Sequence, residues 1–398
     1  MNAQPFGLYV HIPFCSAVCH YCDFAKTANF NNSHLKDYLS LLESQLLAWK
    51  NFLGPSQKFT SVFFGGGTPG LITHDYSNLM SIIREIVVPN AEITIEANPD
   101  NVTEENVRIW RELGFNRLSI GVQTFDPKGL GDLTRQHDAH TALRALELAA
   151  KYFPKSNGDL IYGWHGQDLG SWDNDLKTLV STGVNHVSLY ALTYEGQTPF
   201  VRAEQRGKRE QMSDDELAER YELACEKLAL AGFNHEEISN WSKGQATCDH
   251  NWLYWRGNYY VGIGAGAHGF IDDGSVIGLR YSFPSDFRAM LRQGKSAGKF
   301  ERLSDLVEGV GGKIDKSRDL ESWKLEYVGC GLRSSEGIDL EFLAKHGFLF
   351  NPTPRISRAL ADGKIAIMGQ KLVLDKKDWF LETAWAFEVC ESLKSPII

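Results

Sequence analysis

The sequence predicts an α/β fold: a parallel sheet that curls into a barrel or partial barrel, followed by a small α+β domain. Three observations carry this. Strand-like and helix-like segments alternate six times in the first half of the chain, the pattern of a parallel sheet with right-handed crossovers. The rhythm changes after about Leu303. The segments richest in chemistry (a cysteine loop, a triple glycine, Glu96 and Gln123) each follow one of four consecutive strands. In α/β barrels functional groups gather at the carboxyl ends of the strands in this way.

Taken in order, Leu8–Pro13 is a short apolar strand that runs into the cysteines, and Ser33–Phe52 has apolar residues at helical spacing. Ser61–Phe64 is a second strand ended by Gly65-Gly66-Gly67, with a helix near Tyr76–Val87. Glu92–Glu96 alternates and is β-branched, a third strand. Thr103 then caps a helix to about Leu113, with Glu104 and Glu105 suited to its dipole. Strands at Arg117–Val122, Gly158–Tyr162 and His186–Leu192 alternate with helices near Ala139–Lys151 and Ser171–Thr182. The polar stretch Glu204–Asp215 reads as a loop leading into the helix Ser213–Ala231, with Ser213 its cap. After Leu303, helices near Ser317–Leu332 and Leu340–His346 and a hairpin at Lys364–Leu374 form the α+β domain.

The composition is that of an ordinary globular protein, 43% hydrophobic and 23% charged over 398 residues. A net charge of −9 argues against nucleic acid as a partner, because such a partner needs a basic face. No apolar run is long enough to span a bilayer, so any membrane contact is peripheral. The first residues lack a basic segment followed by an apolar one, so no cleaved secretion signal is expected. Three of the seven cysteines fall between positions 15 and 22; Cys225, Cys248, Cys330 and Cys390 are scattered. That distribution fits a reducing cytoplasm with one metal site, not a disulfide framework.

The loop reads Tyr9-Val-His-Ile-Pro-Phe-Cys15-Ser-Ala-Val-Cys19-His-Tyr21-Cys22-Asp-Phe24. Three thiolates at C-x3-C-x2-C spacing can bind three corners of a cubane iron–sulfur cluster, leaving one iron without a protein ligand. Zinc is the other occupant. It wants four closed ligands, and His11 or His20 could complete the set, but no second C-x2-C or H-x3-H follows. C-x3-C-x-aromatic-C directly after a first strand resembles the motif of the radical-SAM superfamily. The resemblance implies a [4Fe-4S] cluster on Cys15, Cys19 and Cys22 and a partial (β/α)6 barrel. It also implies reductive cleavage of S-adenosylmethionine to methionine and a 5′-deoxyadenosyl radical.

Within that resemblance, Gly66, Gly67 and Thr68 of Phe64-Gly-Gly-Gly-Thr-Pro69 match the turn that grips the methionine amino group. Glycines let a ligand approach the backbone and leave N–H groups to bond it. Glu96 ends strand three, Gln123 strand four and Ala191 strand six; Arg135 follows strand four and Asp159 sits in strand five. Singly, each charged member reads as an ordinary strand end or surface residue. Together they match the cofactor's needs: Glu96 for a cation or hydroxyls, Arg135 for the carboxylate, Gln123 and Asp159 for the ribose. Tyr9 and Tyr21 can pack on the adenosyl group.

The whole chain is similar to one branch, the oxygen-independent coproporphyrinogen III oxidase family and its relatives, the HemW-type haem chaperones. The supporting segments are Tyr9–Cys15, Gly65–Pro69, Glu96–Pro99, Arg117–Gln123, Asp159–Gly163 and His250-Asn-Trp-Leu-Tyr-Trp255. Three features favour the chaperone. Phe24 stands where the oxidase has a fourth cysteine; the oxidase's long N-terminal extension has no counterpart before Cys15; and residues 250–255 match the chaperone's HNxxYW region. The resemblance implies a protein that binds haem and transfers it to an unidentified acceptor protein. His250 is a candidate axial haem ligand and Cys248 a rival. The divisions expected are 1–240 for the barrel, 241–302 for a connecting segment with HNxxYW, and 303–398 for the C-terminal domain. The scaffold is able to cleave S-adenosylmethionine, while coproporphyrinogen oxidation is the alternative. One departure is Trp164-His165-Gly166-Gln167, where the family has Leu-Pro-Gly-Gln.

Overall fold

The computed structural model describes residues 5–293 and 299–394. Residues 1–4, on which part of the expectation about a secretion signal rests, lie outside the described residues. The barrel begins with β1 (Gly7–Ile12), α1 (Asn32–Leu53), β2 (Phe59–Gly66), α2 (Ser77–Ile86), β3 (Val87–Ala97) and α3 (Glu104–Leu113). It continues with β4 (Arg117–Gln123), α4 (Pro127–Asp132), α5 (Ala139–Tyr152), β5 (Lys155–Tyr162), α6 (Leu169–Ser181) and β6 (His186–Ala191). Each neighbouring pair from β1 to β6 is parallel and in sequence order. This is the partial (β/α)6 barrel that the sequence led us to expect.

The helices start where local chemistry says they should. The Asn31, Thr103, Asp138 and Asp168 side chains each accept a hydrogen bond from an otherwise unpaired N–H of the following helix. Such a cap contributes about 1 kcal/mol. After β6 come α7 (Pro199–Gln205) and α8 (Asp214–Leu230). The start of α8 is a capping box between Ser213 and Glu216. Part of the polar stretch expected as loop is therefore the end of α7; Pro199 at its first turn and Thr198 as cap were the signals.

The segment expected as a connector instead extends the sheet. β7 (Asn234–Glu237) and β8 (Asn240–Ser242) add antiparallel strands beyond β6. Next come α9 (Asp249–Trp255), β9 (Tyr260–Ile263), β10 (His268–Ile271), β11 (Leu279–Ser282), α10 (Phe287–Gln293), α11 (Leu303–Gly309) and β12 (Lys313–Ile314). β9 lies parallel to β1 on the opposite edge, and β10 to β12 follow it antiparallel. β9 and β10 are four residues each, on either side of the glycine–alanine run 264–267, too short to carry a pattern of their own, and each contains a glycine needed for packing. A methyl group on Gly262 would sit 1.9 Å from the His268 carbonyl oxygen.

The main apolar core runs from Phe6 to Val310, past the expected boundary at 303. A second core, from Trp323 to Leu393, belongs to the C-terminal unit. That unit comprises α12 (Leu320–Leu332), β13 (Ile338–Asp339), α13 (Leu340–Lys345), β14 (Leu349–Phe350), α14 (Pro354–Ala361), β15 (Ile365–Met368), β16 (Lys371–Leu374), α15 (Glu382–Glu391) and β17 (Leu393–Lys394). The hairpin is β15–β16. Arg333 joins the two units by pairing with the buried Glu237 at 3.1 Å, and Arg256 pairs with Glu336 at 2.6 Å. Among the described residues no helix is long and apolar enough to cross a membrane.

Candidate cofactor site

The rim of the barrel is built by the loops that follow its strands. From β1 the chain runs into Cys15, Cys19 and Cys22, all free thiols. A chain of contacts ties the first two to neighbouring strands. The Thr68 hydroxyl donates to Cys15 Sγ at 3.5 Å, and Asn98 donates to that hydroxyl at 3.2 Å. Arg135 donates to Asn98 at 2.7 Å and to Cys19 Sγ at 3.5 Å. Burial raises the Cys15 and Cys22 thiols above their ordinary value, against the pull of the Thr68 hydroxyl on one and Lys26 on the other. Among the described residues no three His, Cys, Asp or Glu side chains are grouped to hold a single metal ion. The donor chemistry of three thiols on one loop, with Phe24 where a fourth would stand, fits a cluster with an open iron.

Arg135 carries a further sign of a ligand. Its Nη2 also donates to the Gly121 carbonyl at 2.6 Å, yet its buried Nε has no partner among the described residues. A buried unpaired guanidinium nitrogen is costly, and a carboxylate arriving beside Cys19 would satisfy it. Gln123 sits at φ 75°, in the left-handed region, where the β4–β5 register slips. A non-glycine residue there costs of order 1–3 kcal/mol, and such strain clusters at ligand sites.

The glycine turn differs from expectation. The Gly66 N–H donates to Glu96 at 3.1 Å, Gly67 N–H to the Ile12 carbonyl at 2.7 Å, and Thr68 N–H to the Phe14 carbonyl at 2.8 Å. These three N–H groups already have partners, so what the turn can offer is carbonyl oxygen. An ammonium group requires acceptors of that kind.

Inside the barrel lies a cavity of about 190 Å³ lined by Tyr9, Glu96, Arg117, Asp159, Tyr190 and His250, among others. Burial, then the neighbouring Asp159, push the Glu96 carboxyl up to about 8. Burial raises Asp159 too, while hydrogen bonds from Ser188 and Asn157 pull it back. A cationic ligand would relieve both carboxylates. Around Asp159 runs a buried network. Asn157 donates to Asp159 at 2.6 Å, to Ser119 at 2.7 Å and to Ser188 at 2.9 Å, and Ser188 donates to Asn240 at 2.8 Å. Arg117, Ser119, Asn157, Ser188, Tyr190 and Asn98 were missed from the sequence. The signal was there: polar residues at every second place, Arg117/Ser119 in β4, Asn157/Asp159 in β5 and His186/Ser188 in β6, which share the inner face.

The remaining expected residues are not all gathered here. Tyr21 does not line the cavity with Tyr9; it lies on the cysteine side, hydrogen-bonded to Arg135, and packs against Phe200 at 6.4 Å. Ala191 is partly buried against the main core at the end of β6. His250 is buried with both ring nitrogens engaged, Nδ1 with the Ser61 hydroxyl and Nε2 with the Tyr254 hydroxyl, each at 2.9 Å. Burial, with Arg117 nearby, pulls its pKa down to about 3, so the ring is neutral. Iron could bind either nitrogen only by breaking one of these bonds. Cys248 is buried against Glu92 at 3.7 Å, its thiol pushed up to about 12 by burial. The Trp164–Gln167 turn survives without its proline. Gly166 has φ 85°, the Gln167 side chain accepts from the Gly163 N–H at 2.7 Å, Trp164 is buried, and His165 is exposed.

The chain is similar to known proteins over most of its length. Residues 9–179 match the model of the radical SAM superfamily. The chain is 38% identical over 278 residues to a heme chaperone HemW of Mycobacterium tuberculosis, covering 68% of this chain and 71% of that protein. It is 35% identical over 401 residues to the radical S-adenosyl methionine domain-containing protein 1, mitochondrial, of Danio rerio, covering 96% and 84%. Among solved structures, the coproporphyrinogen III oxidase HemN of Escherichia coli matches with a TM-score of 0.76 and 21% identity, covering 97% of this chain and 90% of that one. That level of identity shows the shared fold. The chain belongs to the radical-SAM superfamily and, within it, to the HemW-type family.

Proposed function

We propose that this protein is a haem chaperone: it binds haem and passes it to an acceptor protein, while carrying a [4Fe-4S] cluster and S-adenosylmethionine in its barrel. The observation that carries this reading is the 38% identity, over more than two thirds of both chains, to a protein named a heme chaperone. Phe24 in place of a fourth cysteine supports it against the oxidase reading.

Cys15, Cys19 and Cys22 hold the cluster in this reading. Arg135 Nε takes the cofactor's carboxylate, carbonyl oxygens of the Gly66–Thr68 turn take its ammonium, and Glu96 and Asp159 face its positive charge and ribose. Gln123 is held at the rim for the same ligand, and the Tyr9 ring closes the inner wall. When bound, cluster and cofactor supply one-electron chemistry. The chain's own residues bind and orient the cofactor, and His250 stays neutral at the cavity wall.

The test reconstitutes the cluster anaerobically and offers two substrates. Haem titrated into the protein should give a saturable Soret band, and coproporphyrinogen III with S-adenosylmethionine should yield no protoporphyrinogen. Turnover of coproporphyrinogen, or no saturable haem binding, would overturn the proposal.

A further inference from the structure

Two residues of helix-capping type decline their caps at the barrel rim. Each stands directly before a proline: Thr68-Pro69 after β2 and Asn98-Pro99 after β3. Each opens a single 3-10 turn, Pro69–Leu71 and Pro99–Asn101. Threonine or asparagine at such a place ordinarily turns its side-chain oxygen back onto an unpaired N–H of the turn. Among the described residues neither side chain does so. Both bond across the rim instead, Asn98 to Thr68 and Thr68 to the cysteine loop.

The chemistry of donors and acceptors fixes the direction of these bonds. A guanidinium can only donate. Both hydrogens of Arg135 Nη2 are committed, one to Asn98 Oδ1 at 2.7 Å and one to the Gly121 carbonyl at 2.6 Å. Asn98 must therefore turn its oxygen to Arg135 and its amide nitrogen to Thr68, which it reaches at 3.2 Å. The Thr68 oxygen accepts that bond, so its own proton is left for Cys15 Sγ at 3.5 Å. Thr68 is only 3% exposed, so solvent hardly competes for the hydroxyl. Arg135 Nη1 meanwhile reaches Cys19 Sγ at 3.5 Å. One guanidinium thus acts on two cysteine sulfurs, on Cys19 directly and on Cys15 through two neutral side chains.

Hydrogen bonds to the sulfurs help to set the reduction potential of an iron–sulfur cluster. The positive end of a donor stabilises the added negative charge of the reduced form, so each such bond raises the potential. A hydroxyl free to rotate serves a sulfur part of the time, and one held from behind serves it continuously. Only an amide fits between Arg135 and Thr68. Aspartate would accept from Arg135 but has no proton for Thr68, and leucine would do neither.

We propose that Asn98 is a positioning residue for the cluster: it aims the Thr68 hydroxyl at Cys15 Sγ and thereby holds the reduction potential above the value the cysteines alone would give. The inference rests on the reading that Cys15, Cys19 and Cys22 hold a [4Fe-4S] cluster. Asn98 acts through Thr68. Arg135, at the far end of the relay, is also the proposed partner of the cofactor's carboxylate, so the same side chains join that site to the cluster.

The experiment reconstitutes the cluster anaerobically in the full chain and titrates it against redox mediators without S-adenosylmethionine, following the paramagnetic resonance of the reduced form. Thr68→Val and Asn98→Leu are each close in volume to the parent residue. Each should lower the midpoint, so that the ratio of reduced to oxidised cluster at a fixed potential falls about threefold or more. Thr68→Ser keeps the hydroxyl and should titrate as the parent does. In the Thr68→Val background Asn98→Leu should shift the midpoint less than it does alone, because its target is gone. Iron and sulfide content and a melting temperature equal to the parent's exclude a damaged cluster as the cause. Asn98→Ala takes the place of Asn98→Leu should the latter assemble no cluster. If the parent protein takes up no iron and sulfide, the cluster reading itself fails. If it does, and removing the Asn98 amide leaves the midpoint unchanged or shifts it equally with and without the Thr68 hydroxyl, the relay is overturned while the cluster reading stands.

Discussion

Glu96 shows how a single side chain couples cofactor, pH and stability. Its carboxyl is pushed up to about 8 in the fold, from an ordinary value of 4.5, by burial and then by Asp159. The folded state therefore favours the protonated form. The stability contributed is fully present below the unfolded value and is lost as pH rises through about 8. The protein without ligand should lose roughly 2–4 kcal/mol between pH 4.5 and 8 from this group. Glu96→Gln should flatten that slope in denaturant titrations, and an unchanged slope would refute the assignment. Affinity for the cationic cofactor should run the other way, rising with pH as Glu96 ionises, and calorimetry on the two forms checks it. Cys19→Ala removes the thiol that Arg135 touches and should abolish the visible iron–sulfur absorption of reconstituted protein; a retained band would exclude Cys19 as a ligand. Such residues were legible because their spacing is local. The roles of Asn98 and Asn157 were not, because each acts by bridging strands that are distant in sequence.

Helix α9 depends on a glycine far from it in the chain. A methyl group on Gly7 would sit 2.4 Å from Leu253 Cδ1 and 3.0 Å from His250 Cε1. Gly7→Val should push α9 off β1, costing about 1–3 kcal/mol and disturbing the His250–Ser61 bond. Thermal melting measures the first effect, and the imidazole resonances of His250 report the second; a Tm within error of the parent would refute the docking role. The six barrel strands and their helices could be read from the sequence because each carries its own periodicity and cap. Short elements such as α9 and β9–β11 could not. A four-residue strand of Tyr-Val-Gly-Ile has no pattern of its own, and it becomes a strand only because β1 offers an open edge. The expected connector was for this reason part of the sheet.

The two cores, ending at Val310 and starting at Trp323, are joined by several polar contacts, and the most deeply buried carboxylate among them is Glu237, held by Arg333. The Glu237 side chain is only 2% exposed, so Arg333→Met strands a buried charge that Asn240 alone cannot satisfy. The expected cost is roughly 2–4 kcal/mol, with denaturant unfolding separating into two steps as the C-terminal unit comes loose. A single transition at the parent midpoint would show that the contact is incidental. The hairpin and helices of that unit were visible in the sequence, but its docking was not, since it relies on Ser334 bridging to Glu237 across the chain. Helix α9 gives this arrangement its last consequence. Its Tyr254 lines both the barrel cavity and a second cavity of about 290 Å³ against the C-terminal unit, and for any two ligands held there, whatever factor one imposes on the affinity of the other is returned in full. Loading order then alters how quickly the doubly filled protein forms, but leaves its final abundance unchanged.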